Sequence, residues 1–184
     1  MEARIPLGEI GVVTARGDDV KLGELVKRPT MLVIPRYYGC LPCRDYLRRL
    51  SDRLGEVHDA GADALGVSVG AAHQARWLID EKGIDFPLLV DPERRVYDAL
   101  ELPRRWWVGL NPRGWWNYVR AIARGNRQGK IIEPNQLPGL ALLDADANAV
   151  WVHRGRALGD YPSVERVLSE LERLGSEQAT GAGA

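Results

Sequence analysis

The sequence has no net charge: 25 Lys and Arg stand against 25 Asp and Glu in 184 residues. A neutral total argues against nucleic acid or an anionic membrane as the main partner, because both require a cationic face. A local cluster can still hide within it. No stretch approaches the ~20 apolar residues that span a bilayer. Met1 to Pro6 also lacks the apolar run of a secretory signal. The expected setting is therefore cytosolic, with no transmembrane segment. Histidine is scarce: His58, His73 and His153 lie scattered without ligand spacing. Structural zinc usually takes four protein ligands, so neither a metal nor a cofactor is expected. There are only two cysteines, Cys40 and Cys43, separated by two residues. Such a pair cannot staple distant parts of a chain, and in a reducing compartment this spacing points to redox chemistry.

What is present is enough apolar material, 45% of residues, for one real core. Domains commonly run to about 100–150 residues, so a single domain over 1–174 is expected, with 175–184 as a small, polar, disordered tail. Ile10 to Thr14 followed by Arg16-Gly17-Asp18-Asp19 predicts an N-terminal hairpin. Met31 to Ile34 and Ala64 to Val69 are continuous apolar runs of the kind buried on both faces of a sheet. Between them Leu47, Leu50, Leu54 and Val57 recur at three- and four-residue steps, predicting a helix that ends near Gly61. A second helix carries Ala75, Leu78 and Ile79 and ends at Gly83. Phe86 to Val90 is short and extended, and Glu93 to Leu100 is a short helix. Leu140 to Leu143 and Ala149 to His153 form a hairpin, and Val164 to Leu174 a closing helix. This βαβ…ββα order predicts an α/β fold: a central mixed sheet with helices on both faces.

Cys40-Leu41-Pro42-Cys43 falls where the first buried run ends and a helix begins. The first turn of a helix presents unpaired N–H groups and partial positive charge, which stabilise a thiolate, the reactive form of cysteine. Pro42 suits the position because it has no N–H to leave unpaired. Arg36 and Arg44 add positive charge nearby. Inert packing cysteines or half of a metal site are the bland readings.

With the dithiol so placed, the chain resembles the thioredoxin superfamily. Phe86-Pro87-Leu88-Leu89-Val90-Asp91-Pro92, the hairpin at Asp144–Asn148 and Gly159-Asp160-Tyr161-Pro162 are similar to the alkyl hydroperoxide reductase / thiol-specific antioxidant family, in its peroxiredoxin-like branch with Cys-x-x-Cys. The resemblance implies a thioredoxin-like fold and a thiol-dependent oxidoreductase. It would reduce peroxides or disulfides, close a Cys40–Cys43 bond and be reset by a thioredoxin- or glutathione-like donor. Thioredoxin usage implies Cys40 as nucleophile, favoured here as the outer thiol; peroxiredoxin usage implies Cys43. The family's usual Arg before the late strand is replaced by Pro138, which resembles the cis-proline that receives substrate in thioredoxins. Arg113, Arg154 and Arg156 are the candidates to substitute for that Arg, and His153 is the one histidine that is a candidate near the site. The alternative function is a non-catalytic redox-switched sensor or partner-binding module. A homodimer is compatible with the sequence.

From Pro103 to Gln136 the composition turns to Trp, Arg and Gly, and Trp115 to Gly129 resembles an insertion carried by that branch. Trp106, Trp107, Trp115 and Trp116 lie between Arg104-Arg105 and Arg120, Arg124, Arg127 and Lys130. On a helix, Trp116, Val119, Ala123 and Arg127 share one face. The plain expectation is an amphipathic helix with its tryptophans in the core and a solvated basic face. The functional ones are a lid over the dithiol, a surface for a partner protein or acidic lipid, and, least, single-stranded nucleic acid.

Overall fold

In a computed structural model, residues 4–105, 112–124 and 135–181 are described, apart from the side chains of Arg113 and of 175–181. Trp106, Trp107, Arg127 and Lys130 lie outside the described residues.

The centre of the fold is β4 (Thr30–Ile34), hydrogen-bonded in parallel to β5 (Asp63–Ser68), which in turn pairs in parallel with β6 (Leu88–Val90). On the other side of β4 runs antiparallel β7 (Gly139–Leu143), followed by β8 (Asn148–Arg154). The N-terminal hairpin forms as expected from β2 (Gly11–Thr14) and β3 (Asp19–Lys21), and β2 docks on β6. A two-residue β1 (Ile5–Pro6) closes the other edge on β8. The eight strands thus form one mixed sheet.

The apolar run of β4 explains its central place. Met31 and Val33 feed one buried cluster, Leu32 and Ile34 the other, so successive side chains fill opposite faces. Each such side chain contributes about 1.5–3 kcal/mol when fully buried. Helices α2 (Leu41–Ser51), α4 (Ala72–Lys82) and α7 (Val164–Gly181) cover the Met31 face. The four-residue α1 (Leu22–Leu25) and α5 (Arg95–Ala99) cover the other.

Two boundaries differ from the sequence pattern. The helix expected to run past Val57 is broken: α2 stops at Ser51 and α3 occupies Leu54–Asp59. At the joint Arg53 leaves the helical region at φ −119° and binds Glu56 at 2.7 Å as well as Glu165 of α7. The closing helix runs on to Gly181 where a disordered tail over 175–184 was expected. Nothing in Gly175-Ser176-Glu177-Gln178-Ala179 forces a stop, since no proline interrupts it and Glu, Gln and Ala are good helix formers. Residues 182–184 lie outside the described residues.

Candidate active site

β4 ends at Ile34, paired with Gly139 of β7, and the chain turns through Pro35–Gly39 into α2. The turn is held by backbone and side-chain bonds. The Tyr97 hydroxyl donates to the Pro35 carbonyl at 2.5 Å, and the Cys40 N–H donates to the Tyr37 carbonyl at 3.1 Å. Cys40 then caps α2 in extended conformation (φ −69°, ψ 121°), and Pro42 sits in the first turn. Cys43 follows one position later, so the two sulfurs meet at 2.7 Å as free thiols. Both side chains are 0% exposed. The expectation that Cys40 is the outer, more exposed thiol is overturned: the loop and the elements described below cover both.

Electrostatics separates the two sulfurs. Burial pushes the Cys40 thiol up, and the hydrogen bond with Cys43 and that neighbour's charge push the same way, leaving it well above its ordinary value. Burial pushes Cys43 up as well, but the Cys40 S–H, the Arg36 guanidinium, the Tyr161 hydroxyl and the Arg36 backbone N–H stabilise its anion. The net result is a pKa lowered to about 7. The surroundings therefore favour an anion on Cys43 over one on Cys40.

Arg36 is the expected arginine that the fold brings to the site. It is buried, its Nη1 lies 3.8 Å from the Cys40 sulfur, and its Nε donates to the Gln136 carbonyl at 2.5 Å. Arg44 points elsewhere: its guanidinium lies 5.4 Å from the Trp77 ring centroid, and it reaches the sulfurs only as a nearby charge.

The cis-proline expectation fails. No peptide bond among the described residues is cis. Pro138 is buried and its carbonyl accepts the Gly155 N–H at 2.9 Å, so it is committed to the start of the β7–β8 pairing. Arg154 is spent on the Leu100 carbonyl at 2.8 Å, and the Arg156 side chain is exposed. The Arg113 side chain lies outside the described residues. The His153 Nε2 meets the Asp160 carbonyl at 3.1 Å rather than a sulfur.

Two tyrosines belong to the site that the sequence did not single out. Tyr161 stacks on Tyr46 with ring centroids 4.2 Å apart. Its hydroxyl is buried without a hydrogen bond of ordinary geometry, and it acts instead on the Cys43 anion. Burial and the two sulfurs hold its own pKa well up. Tyr118 is half-buried, and burial together with the charge of Cys40 raises its pKa.

Tyr118 belongs to α6 (Pro112–Ala123), the described part of the insertion. This helix lies against α2 and the loop before α7. Asn117 Nδ2 donates to the Leu158 carbonyl at 2.7 Å, and Gly114 allows Leu158 to approach within 3.1 Å of where a Cβ would stand. Ala121 is fully buried, and Arg124 binds Asp45 of α2 at 2.7 Å. Of the readings of the insertion, the lid position is the one these contacts describe. Trp115 and Trp116 correct the core expectation, since each is 62% exposed. Beside the dithiol a cleft of roughly 260 Å³ remains, bordered by Pro42, Asn117, Arg120, Gly159 and Tyr161. Among the described residues, no three His, Cys, Asp or Glu side chains gather as a metal site.

The family model described as AhpC/TSA antioxidant enzyme matches residues 49–157. The match begins after Cys43, so the two cysteines are assigned by geometry and not by it. No curated protein matches the sequence significantly. Among solved structures, the fold is similar to the Xanthomonas campestris bacterioferritin comigratory protein, described with alkyl peroxide reduction activity. That pair has a TM-score of 0.65 at 15% identity over 91% of this chain and 92% of the other. The peroxidoxin BcpB from Mycobacterium tuberculosis gives 0.65 at 14% identity, over 94% and 97%. A peroxiredoxin-like protein from Aquifex aeolicus gives 0.64 at 11%, over 95% and 88%.

Proposed function

This chain belongs to the AhpC/TSA antioxidant enzyme family, and from that premise we propose that it reduces hydroperoxides with Cys43 as the attacking thiolate and Cys40 as the resolving thiol. One arrangement carries the reading: two buried sulfurs 2.7 Å apart, with Arg36 and Tyr161 placed to favour the anion on Cys43 over one on Cys40. The Cys43 thiolate attacks one peroxide oxygen and the O–O bond breaks. Cys43 becomes a sulfenic acid, and the departing alkoxide takes a proton to leave as alcohol. The Cys40 thiol then attacks the Cys43 sulfur, a Cys40–Cys43 disulfide forms, and water departs. Two electrons pass from the dithiol to the peroxide, and two donor thiol groups, from one thioredoxin-like dithiol or two glutathione-like thiols, restore it as they form their own disulfide.

Arg36 supports this assignment because it supplies fixed positive charge beside the sulfurs without water to screen it. The buried dithiol also suits a small substrate better than a protein disulfide, which needs an exposed sulfur.

The test is the rate at which reduced protein loses thiols to hydrogen peroxide or an organic hydroperoxide, with both single Cys→Ser variants alongside. Fast, saturable loss is expected in the native chain. Cys43→Ser is expected to be inert, and Cys40→Ser to stop at a sulfenic acid trapped by dimedone. An inert Cys40→Ser with a reactive Cys43→Ser would reverse the roles. Loss no faster than that of a free thiol would remove the peroxidase reading.

A further inference from the structure

The lid helix is amphipathic in the unusual sense: its small residues face the protein and its large apolar ones face away. Gly114, Asn117 and Ala121 meet the fold through Leu158 and α2. At three- and four-residue steps on the opposite side stand Trp115, Val119 and Ile122, with Trp116 adjacent, exposed by 62%, 53%, 59% and 62% respectively. Soluble chains scatter such residues singly; four on one helix face form a patch that marks an interaction surface.

Charge identifies its partner. The insertion from Pro103 to Gln136 holds seven Lys or Arg and one acid, Glu133, inside a chain of zero net charge. α6 itself carries no acidic residue, and Arg120 is exposed on the flank of its apolar face. A tryptophan-rich face flanked by an arginine is the pattern of a helix lying in a bilayer interface, where indole rings sit at headgroup level and a guanidinium group meets lipid phosphates. No helix among the described residues is long and apolar enough to cross a membrane, so insertion is limited to the surface.

We propose that the outer face of α6 docks the protein on an anionic lipid bilayer surface through Trp115, Trp116, Val119 and Ile122, with Arg120 on the headgroups. The proposal stands apart from the peroxidase assignment, since it needs no redox step. A second copy of the chain and single-stranded nucleic acid are the competing occupants. A second copy would set the arginine-rich insertions of two chains against each other, and the outer face of α6 offers apolar contact to a bilayer along its whole exposed stripe.

The experiment is co-sedimentation of the full chain with vesicles of phosphatidylglycerol and phosphatidylcholine, against vesicles of phosphatidylcholine alone, with tryptophan emission followed in parallel. Binding to the anionic vesicles with a blue shift is expected, weakening as salt is raised. The double variant Trp115→Ser/Trp116→Ser should lose about tenfold or more in partition, and Arg120→Gln about fivefold. Circular dichroism shows that the variants remain folded, and thiol loss to hydrogen peroxide, measured without vesicles, shows that the tryptophan variant remains reactive. Failure of the folded native chain to bind anionic vesicles at low salt would overturn the proposal. Equal binding to neutral vesicles would do so too. A dimer abolished by the tryptophan substitutions, or retention of a single-stranded oligonucleotide, in a chain that ignores vesicles would hand the surface to one of the other occupants.

Discussion

Gly159 lies against Pro42, the residue between the two cysteines, so closely that a Cβ on Gly159 would stand 2.5 Å from the Pro42 Cβ. The same Cβ would meet Asn117 of the lid helix at 3.4 Å, and Gly159 has a φ of +68°, which side chains other than glycine's rarely adopt. One glycine thus sets the spacing of three elements: the start of α2, the lid α6 and the loop leading to α7. Gly159→Ala must move Pro42 or the loop. A loss of about 1–3 kcal/mol in denaturant unfolding is expected, together with slower thiol loss to peroxide because Tyr161 is displaced from Cys43. An unchanged midpoint and rate would show that the loop yields freely.

Much of this architecture is legible in the sequence, for physical reasons that differ by element. Met31 to Ile34 announces a strand buried on both sides because no polar residue interrupts it, and the structure places it between β5 and β7. Cys40 and Cys43 stand at the strand-to-helix switch, and that local signal needs no tertiary information. Arg36 is legible as a nearby charge for the same reason. Tyr161 is not: it reaches Cys43 only because α7's leading loop folds back over Pro42, and a single tyrosine before a proline carries no pattern. The lid shows the limit of periodicity. Spacing groups Trp116, Val119 and Ala123 on one face, but the choice of inner face is made by Gly114 and Ala121, whose small size lets Leu158 and α2 approach. Small residues give a weak signal beside four tryptophans, and so the tryptophans were expected inside.

The asymmetry of the dithiol predicts how reactivity depends on pH. Cys43 has a pKa lowered to about 7 and Cys40 one raised well above its usual range. The attacking form is the Cys43 thiolate, so the rate of thiol loss to peroxide is expected to rise with pH through about 7 and then level off. Below the inflection each pH unit removes the thiolate roughly tenfold. Arg36→Gln withdraws a charge that lowers this pKa, so its inflection is expected at higher pH and its rate at neutrality to fall. Stopped-flow oxidation across pH, with circular dichroism as the fold control, makes the comparison. An inflection that does not move would assign the low pKa to the other groups around Cys43.

Tyr161→Phe separates the hydroxyl from the ring. The ring stacks on Tyr46 at 4.2 Å and is retained in the variant, whereas the hydroxyl is buried without an ordinary hydrogen bond. Removing a buried polar group that lacks a proper partner costs little and can stabilise by up to about 1 kcal/mol. Thermal stability is therefore expected to be kept or slightly raised. The Cys43 inflection, in contrast, is expected to move upward because the anion loses the Tyr161 interaction. A stability loss well beyond 1 kcal/mol would show instead that the hydroxyl is a structural bond.

The lid is fastened by Asp45, whose carboxylate is nearly buried and binds Arg49 at 3.2 Å within α2 and Arg124 at 2.7 Å at the end of α6. Arg124 is 40% exposed, so solvent screens this pair and its contribution is about 1 kcal/mol or less. Asp45→Asn keeps the shape and removes the charge from both arginines. Global unfolding is expected to shift only slightly, but amide exchange in 112–123 should quicken several-fold, because the other contacts of α6 described above, through Gly114, Asn117 and Ala121, involve small or uncharged groups. The consequence for chemistry follows from burial: both sulfurs are fully covered, so substrate entry requires the cover to move. A loosened lid is therefore expected to raise the apparent second-order rate with a bulky organic hydroperoxide more than with hydrogen peroxide. Equal rates for the two peroxides in native and Asp45→Asn chains would mean that the lid does not gate the dithiol.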